Sequence, residues 1–549
     1  MQASLKQSPI TIIDNAQFLT QDPQNSSAEA VAILGGKIIA LDEAARQFGH
    51  AKRIDAGGAV IVPGFNDVHA HTVWFGQTLL EIDLAQETTP EGVYEAIAKS
   101  PKDETLNFTN AAEDWVIASG FNPNYLAGAK LDIQKLDEAT GGRPLLIKHN
   151  SGHAYTVNTR ALEIAGVDPS APQVIDGGEI VTGDDGKATG LLDENAMRII
   201  QDILQPEATA DVVKALERAS THYVAEGLTS VTDAGVAGGW IGHTPREIAA
   251  YQEAHLLTRM QLMPTIDALH VLEGHQSEGA AFGIDTGLRT GFGNEWLQMG
   301  PTKIFTDGSL LGTTAAMSED YQCCSHHGYF QGDVDEMKSQ ALKAASVGWS
   351  LALHAIGDAA VEFAIEIISE ATCRFGKPDM PHRIEHGGVV QDSQVKKMAE
   401  HGIILVPQPR FIREFGDSMA AKIGENRTNL SYPAKRLLDA GMVLPGSSDR
   451  PVANGSPLKV IEAFVRRETE TGQVYGADEQ ISAAEALYAY TAGSAYATGW
   501  AGKKGQIKPG QLADMVVLSD SPLDVEAQKI SDIDIVATLV GGEVVHGQI

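Results

Sequence analysis

Two histidines one residue apart, His69 and His71 in PGFNDVHAHT (63–72), are the first of a set of side chains able to ligate a metal. Further along stand Lys303 in PTKIFTDGSL, His354 at the end of SLALH, His386 at the end of HRIEH and Asp449 at the end of VLPGSSD. Imidazole nitrogens and carboxylate oxygens are the donors a cation such as Zn²⁺ takes, and a bound cation makes water a nucleophile near neutral pH. Taken singly, each residue has an ordinary reading. A lone H-x-H is weak, because 17 histidines in 549 residues produce close pairs by chance. His354 or His386 alone reads as a satisfied core histidine, Asp449 as an N-cap and Lys303 as a solvated lysine.

What would position them is a repeat of strand and helix. SLALH is followed by the helical stretch GDAAVEFAIEIISEA (357–371), and HRIEH by DSQVKKMAEHG. In the first of these, Val361, Ala364, Ile365 and Ile368 make one apolar stripe, with Asp358 as the expected N-cap. Alternating β and α units imply a parallel sheet. A (β/α)₈ barrel uses about 250 residues, roughly 30 per unit. His354 and His386 are 32 residues apart, one unit; His386 and Asp449 are 63 apart, two units, with IILVPQ (403–408) as the strand between. Lys303 precedes His354 by 51 residues, one unit plus a loop rich in Gly, Ser and aromatics. LTSVTDA (228–234) and MQLMPTI (260–266) supply two more strands. The count therefore places His69 and His71 on strand one, Lys303 on four, His354 on five, His386 on six and Asp449 on eight. All lie at the carboxyl ends, where barrels of this kind carry their chemistry, and alternate strand residues point the same way. In this company His69 and His71 read as half of a metal site.

The rest of the chain sets bounds. Its length suggests two to four domains. The 43% apolar and 21% charged composition, with no apolar run of bilayer length, reads as a soluble globular protein. The first residues show no signal-peptide pattern, so the cytoplasm is expected. A formal net charge of −31 argues against nucleic acid and membrane surfaces as partners. Three cysteines, two of them adjacent at 323 and 324, do not make a disulfide framework; they read as buried or incidental thiols. VAILGGKIIA (31–40) near the start, and ADMVVL (513–518) and IVATLVGGEVV (535–545) near the end, are β-branched runs broken by Gly-Gly, which predicts strands and hairpins of a small sheet. Between His71 and strand two lie about 155 residues where one unit needs roughly 30, so a large insertion is expected there.

Together PGFNDVHAH, the strand-four lysine, the two later histidines and the strand-eight aspartate resemble the metal-dependent amidohydrolase superfamily. LIKHNSGHAYTVNTRAL, KIFTDGSLLGTTAAM, LHAIGDAAV and RIEHGG narrow the resemblance to the long-chain amidohydrolase family 3, which includes N-substituted formamide deformylases. One departure is Asn66, where that family has a hydrophobic residue before the Asp of PGF-x-D. The resemblance implies an α/β fold: a metal-dependent (β/α)₈ TIM-like barrel (63–75 and 215–504), a composite β-sandwich from both termini (1–62 and 505–549), and an α+β lobe (75–215) that closes over the active site. It also implies a C–N hydrolase acting on a small amide or formamide, with metal-bound hydroxide as nucleophile and an acid and an amine as products.

The implied cofactor is one or two divalent ions, Zn²⁺ first, with Mn²⁺, Fe²⁺ or Co²⁺ as alternatives. His69 and His71 would hold one ion and His354 and His386 the other, bridged by a carboxylated Lys303; without the carbamate, Lys303 would be an electrostatic helper at a single-metal site. Asp449 would ligate and move the proton. His153 is a candidate hydrogen-bond donor to the substrate carbonyl. Asp307 and Glu194 are candidate substrate contacts; Asp307 is also placed to order the loop 308–316, and a surface carboxylate on a helix is an even reading for Glu194. A small molecule is the expected partner, with a homodimer as one assembly to test. Two rivals are a mononuclear deaminase, which the strand-four lysine and the lack of a Glu close behind His354 disfavour, and a non-catalytic regulator on the same scaffold, which the full set of ligand types disfavours.

Overall fold

Two Gly-Gly pairs near the ends of the chain each turn a hairpin. Gly35 and Gly36 have φ of 59° and 79°, and Gly541 and Gly542 have 60° and 79°. Left-handed backbone at both central positions is the type I′ turn, whose twist matches that of the strands it joins. In the first hairpin Leu34 pairs with Lys37, and in the second Val540 pairs with Glu543. The computed structural model describes residues 10–99, 115–126, 128–149, 152, 154–175, 178–239, 241–277 and 281–549.

These hairpins belong to two sheets. One has four strands in the order Lys37–Leu41, Val31–Leu34, Thr11–Asp14, Lys52–Asp55. The other has six, Glu543–Gly547, Ile535–Val540, Met515–Leu518, Val60–Pro63, Gln17–Leu19 and Ser27–Ala28. Met515–Leu518 pairs antiparallel with Val60–Pro63, so both ends of the chain meet in one sheet. Phe18, Ile33, Ile61, Met515, Val517 and Leu539 share one buried cluster.

The middle of the chain supplies parallel strands. β1 (Phe65–Ala70), β2 (Leu228–Val236) and β3 (Arg259–Pro264), with Leu297–Met299, form one four-stranded parallel sheet. β4 (Thr302–Phe305), β5 (Leu351–Ala355), β6 (Arg383–His386) and β7 (Ile404–Val406) form another. An isolated parallel bridge joins Thr265, just past β3, to Lys303. The expected eighth strand, VLPGSSD (443–449), does not form a regular strand. This segment still follows β1 through Val68 N to Gly446 O (3.2 Å), Asp449 N to His69 O (2.7 Å) and His71 N to Arg450 O (2.8 Å). Asp449 itself has φ of 59°, which breaks the extended run where its side chain is presented.

The helix after β5 spans Asp358–Phe375 and buries Val361, Ala364, Ile365 and Ile368, as the stripe predicts. Its N-cap is Gly357 rather than Asp358, because the Asp358 carboxylate accepts hydrogen bonds from Ser318 N (2.8 Å), Ser318 Oγ (2.5 Å) and Gln391 Nε2 (3.1 Å) instead.

By packing, the chain divides into two compact units: Met1–His71 with Ser220–Ile241 and Leu256–Ile549, and Thr72–Ala219 with Gly242–His255. The second carries its own six-stranded mixed sheet, ordered Gly178–Thr182, Ala188–Glu194, Ala154–Val157, Leu145–His149, Val116–Phe121, Ile82–Asp83. Successive residues of its inner strands face opposite sides: Ile117 and Leu146 enter one core, Val116, Ala118, Leu145 and Ile147 the other. No helix among the described residues is long and apolar enough to cross a membrane.

Candidate metal centre

β1 delivers His69, and the residue just past it is His71; one residue of separation in extended chain points both rings the same way. Opposite them the irregular 446–450 segment presents Asp449. Asp449 Oδ1 lies 3.1 Å from His71 Nε2 and 3.4 Å from His69 Nε2, and all three residues are buried. Lys303, from β4, brings Nζ to 3.4 Å from His69 Nε2. His386, at the end of β6, has its ring centre 4.9 Å from that of His69 and 4.4 Å from that of His354, at the end of β5, steeply inclined to both. The structure thus gathers all six residues read from spacing: His69, His71, Lys303, His354, His386 and Asp449. His386 also has a positive φ, 79°, so the two residues with the strongest backbone strain at the site, of order 1–3 kcal/mol each, are both expected ligands.

Hydrogen bonds on the far side of each ring decide which nitrogen faces inward. Glu385 Oε2 takes the Nδ1 proton of His69 in a very short contact. Arg383 holds that carboxylate with Nε on Oε1 (2.5 Å) and Nη2 on Oε2 (2.9 Å), and Nη2 also donates to Val68 O (2.6 Å). His386 Nδ1 donates to Gln408 Oε1 (2.8 Å), whose amide group is oriented by Val406 O and Ser447 Oγ. His354 Nε2 donates to Gly308 O (3.0 Å). What remains for the interior is a lone pair on Nε2 of His69, Nε2 of His386 and Nδ1 of His354. Such outer partners fix tautomer and ring orientation in metal sites. Asp67 steadies the backbone beneath: it accepts from His69 N and Ser448 N (both 3.1 Å) and from Ser448 Oγ (2.5 Å).

Burial governs the charges. It holds His69 and His386 well below the usual histidine range and His354 down to about 3, with the Lys303 charge assisting in each case. Neutral imidazoles are what a cation needs. Burial also pulls Lys303 down to about 8, against the pull of Glu385 and Asp449. On Glu385 burial pushes upward, but Arg383 outweighs it and keeps the carboxylate ionised. The set fits a divalent ion: Asp449 Oδ1 is buried, accepts no hydrogen bond among the described residues, and converges with the His69 and His71 nitrogens. Imidazole nitrogens and a carboxylate oxygen brought together in this way are the donors such an ion takes.

The other site candidates fall differently. His153 lies outside the described residues. Glu194 is the last residue of a strand, Ala188–Glu194, rather than on a helix. Asp307 is buried, and its carboxylate accepts Ala316 N (3.0 Å), Ile356 N (3.0 Å) and Gly357 N (2.8 Å), tying the start of the 308–316 loop to its end and to the turn after β5. Burial raises its pKa to about 7 despite these donors. Of the two readings, buried or incidental thiols, the first does not hold: Cys323 is exposed and Cys324 partly so, on a surface turn between Tyr321 and His326. Sequence reasoning missed Glu385, Arg383, Gln408 and Asp67. The one visible signal was RIEH itself, three ionisable residues in a fully buried four-residue strand.

A sequence profile of the amidohydrolase family matches residues 52–546. The chain belongs to the amidohydrolase family. This amidohydrolase is 29% identical over 520 residues to YtcJ of Bacillus subtilis (strain 168), an amidohydrolase by name, covering 90% of each chain. It is 28% identical over 546 residues to the N-substituted formamide deformylase of Arthrobacter pascens, covering 97% of each. Its fold matches the crystal structure of a metal-dependent hydrolase from Pyrococcus horikoshii OT3 with a TM-score of 0.76, at 24% identity, over 94% of this chain and 99% of that one.

Proposed function

We propose that this amidohydrolase cleaves a carbon–nitrogen bond of a small amide, of the formamide type, to a carboxylic acid and an amine. The observation that carries the reading is the convergence of His69, His71 and Asp449 beside the buried Lys303 and the His354–His386 pair. The likeness to a formamide deformylase over 97% of both chains supports the bond type. In this reading β1–β7 and residues 443–449 make up the eight staves of a barrel, residues 1–62 with 505–549 form the composite sandwich, and residues 75–215 form an inserted lobe.

His69 and His71 would hold one divalent ion, and His354 and His386 a second, with Zn²⁺ favoured by the nitrogen-rich set. When bound, such an ion acidifies water and polarises a carbonyl. The chain does the rest. Lys303 is buried and its pKa is lowered to about 8, so an uncharged amine is accessible that would add carbon dioxide and release a proton to give a carbamate, and the carboxylated side chain would serve both positions. Asp449 faces both histidines and takes the proton from the attacking water, then returns it to the leaving nitrogen. Glu385, Gln408 and Gly308 O hold the three imidazoles in the tautomers that leave inward lone pairs. The retained ligands speak against a non-catalytic scaffold, and Lys303 against a mononuclear deaminase.

The test is a panel of N-formyl, N-acetyl and cyclic amides with Zn²⁺-loaded protein, alongside elemental analysis. One to two divalent ions per chain are expected, with turnover on at least one N-acyl substrate lost to chelator. Full activity in chelator from protein without metal sinks the reading.

A further inference from the structure

β5 and β6 run from His354 and His386 at one end to a second concavity at the other. A cavity of about 500 Å³ opens there, lined by the residues that immediately precede the two strands, Trp349 and Ser350 before β5 and Met380 and His382 before β6. Leu351 and His354 are three residues apart, so the cavity and the metal centre are separated by about 10 Å of strand. Its volume is within the range of small-molecule sites.

The lining has two characters. Phe375, 40% exposed, offers an apolar edge, with Trp349 and Met380 buried within the lining. Around it stand Arg289, Lys377 and Lys503, all exposed, with no acidic partner among the described residues, and the lining contains a single acid, Asp379. In a chain of formal charge −31 a patch with this balance is unusual. Two helices, Val334–Ser346 and Asp358–Phe375, end nearby, and each carboxyl end carries roughly half a negative charge. Arg289 answers one of them, donating Nη1 to Val347 O (2.6 Å). Three cations against Asp379 and two helix ends leave about one positive charge facing the space.

His382 adds a buried donor. The residue is 6% exposed, and Nδ1 accepts the Leu351 amide (3.0 Å), so Nε2 carries the proton. The residue lines the cavity. Burial pulls its pKa down to about 4, so near neutrality it stays an uncharged N–H donor.

We propose that this cavity binds a small organic oxyanion, its head between Lys377, Lys503 and His382 and its apolar body against Phe375. The metal centre plays no part in it, and the inference does not depend on which amide that centre hydrolyses.

The experiment is calorimetric titration of the full metal-loaded protein at low salt with phenyl phosphate, benzoate, inorganic phosphate and phenol. Saturable one-to-one binding of phenyl phosphate or benzoate is expected, weaker binding of inorganic phosphate, none of phenol, and loss of affinity as salt rises. The double variant Lys377→Ala/Lys503→Ala, two exposed positions outside the catalytic machinery, should keep the native melting curve and bind about tenfold or more weakly. A phosphate held at the metal centre would be indifferent to those substitutions. Equal affinity in the double variant, equal binding of phenol, or no binding of either organic anion overturns the proposal.

Discussion

Both units bury a cluster of ionisable groups, and the two behave oppositely. In the second unit Glu207 accepts from His243 Nδ1 (3.0 Å) and from Gln77 Nε2 (2.6 Å), while Lys148 Nζ meets Glu81 Oε1 at 2.5 Å. At the metal centre His69 meets Glu385 just as closely. Yet His243 is pushed up to about 9, Glu207 overcoming the downward pull of burial, whereas His69 is held far below its ordinary value. The difference lies in what else each carboxylate sees. Glu207 faces a histidine that needs its charge; Glu385 is already matched by Arg383, and Lys303 adds a positive charge beside the His69 ring. A cluster whose charges match internally braces a fold. One in which imidazole nitrogens and a carboxylate oxygen without a hydrogen-bond donor converge offers a cation its ligands.

That contrast can be broken or sharpened by substitution. The largest effect is expected from Lys303→Ala, which should empty at least one metal position by elemental analysis, with partial recovery when a short carboxylic acid is added. Metal content equal to wild type would show that Lys303 is a plain ammonium. Next comes Asp449→Asn, expected to keep the fold and much of the metal while turnover drops by about 10²- to 10⁴-fold. Retention of more than about a tenth of the activity places the proton transfer elsewhere.

Glu207→Gln should leave metal content and metal affinity alone but cost about 3–5 kcal/mol in thermal or denaturant unfolding, because it strands a buried charged histidine. Its pH dependence has a definite sign. His243, raised in the folded state, contributes fully below about pH 6.5 and loses that contribution as pH rises towards 9. Glu207 is lowered despite burial, which acts the other way, through His243; its contribution holds above about pH 4.5 and fades in acid. The native-minus-variant stability difference should therefore be greatest between those limits and shrink on both sides, and a difference that grows above pH 7 would contradict the pairing. The smallest effect is expected from Glu385→Gln: about 10- to 100-fold weaker metal binding with little change in unfolding midpoint once metal is present. Unchanged affinity would mean that Arg383 and Glu385 brace β6 without orienting His69.

That six residues distant in sequence would come together was legible because their signal is one-dimensional. Period-two alternation pairs His69 with His71, a unit length of about 30 residues spaces His354, His386 and Asp449, and Gly-Gly between β-branched runs marks both terminal hairpins. What orients those residues was not legible. Glu385 is 316 positions from the His69 ring it holds, and Ser448 is 381 from Asp67. No local periodicity encodes such a pair; only strands brought side by side by the whole sheet make it. The N-cap at Asp358 was misread for the same reason, since Ser318, far off in sequence, competes for its carboxylate. The irregular backbone that presents Asp449 in a left-handed conformation is likewise set by its hydrogen bonds to β1, not by VLPGSSD. Residue types and spacing determined by themselves which side chains come together at the candidate centre. Tertiary packing decided which lone pair each one turns inward, because a tautomer, a rotamer and a pKa depend on neighbours that the chain reaches only by folding.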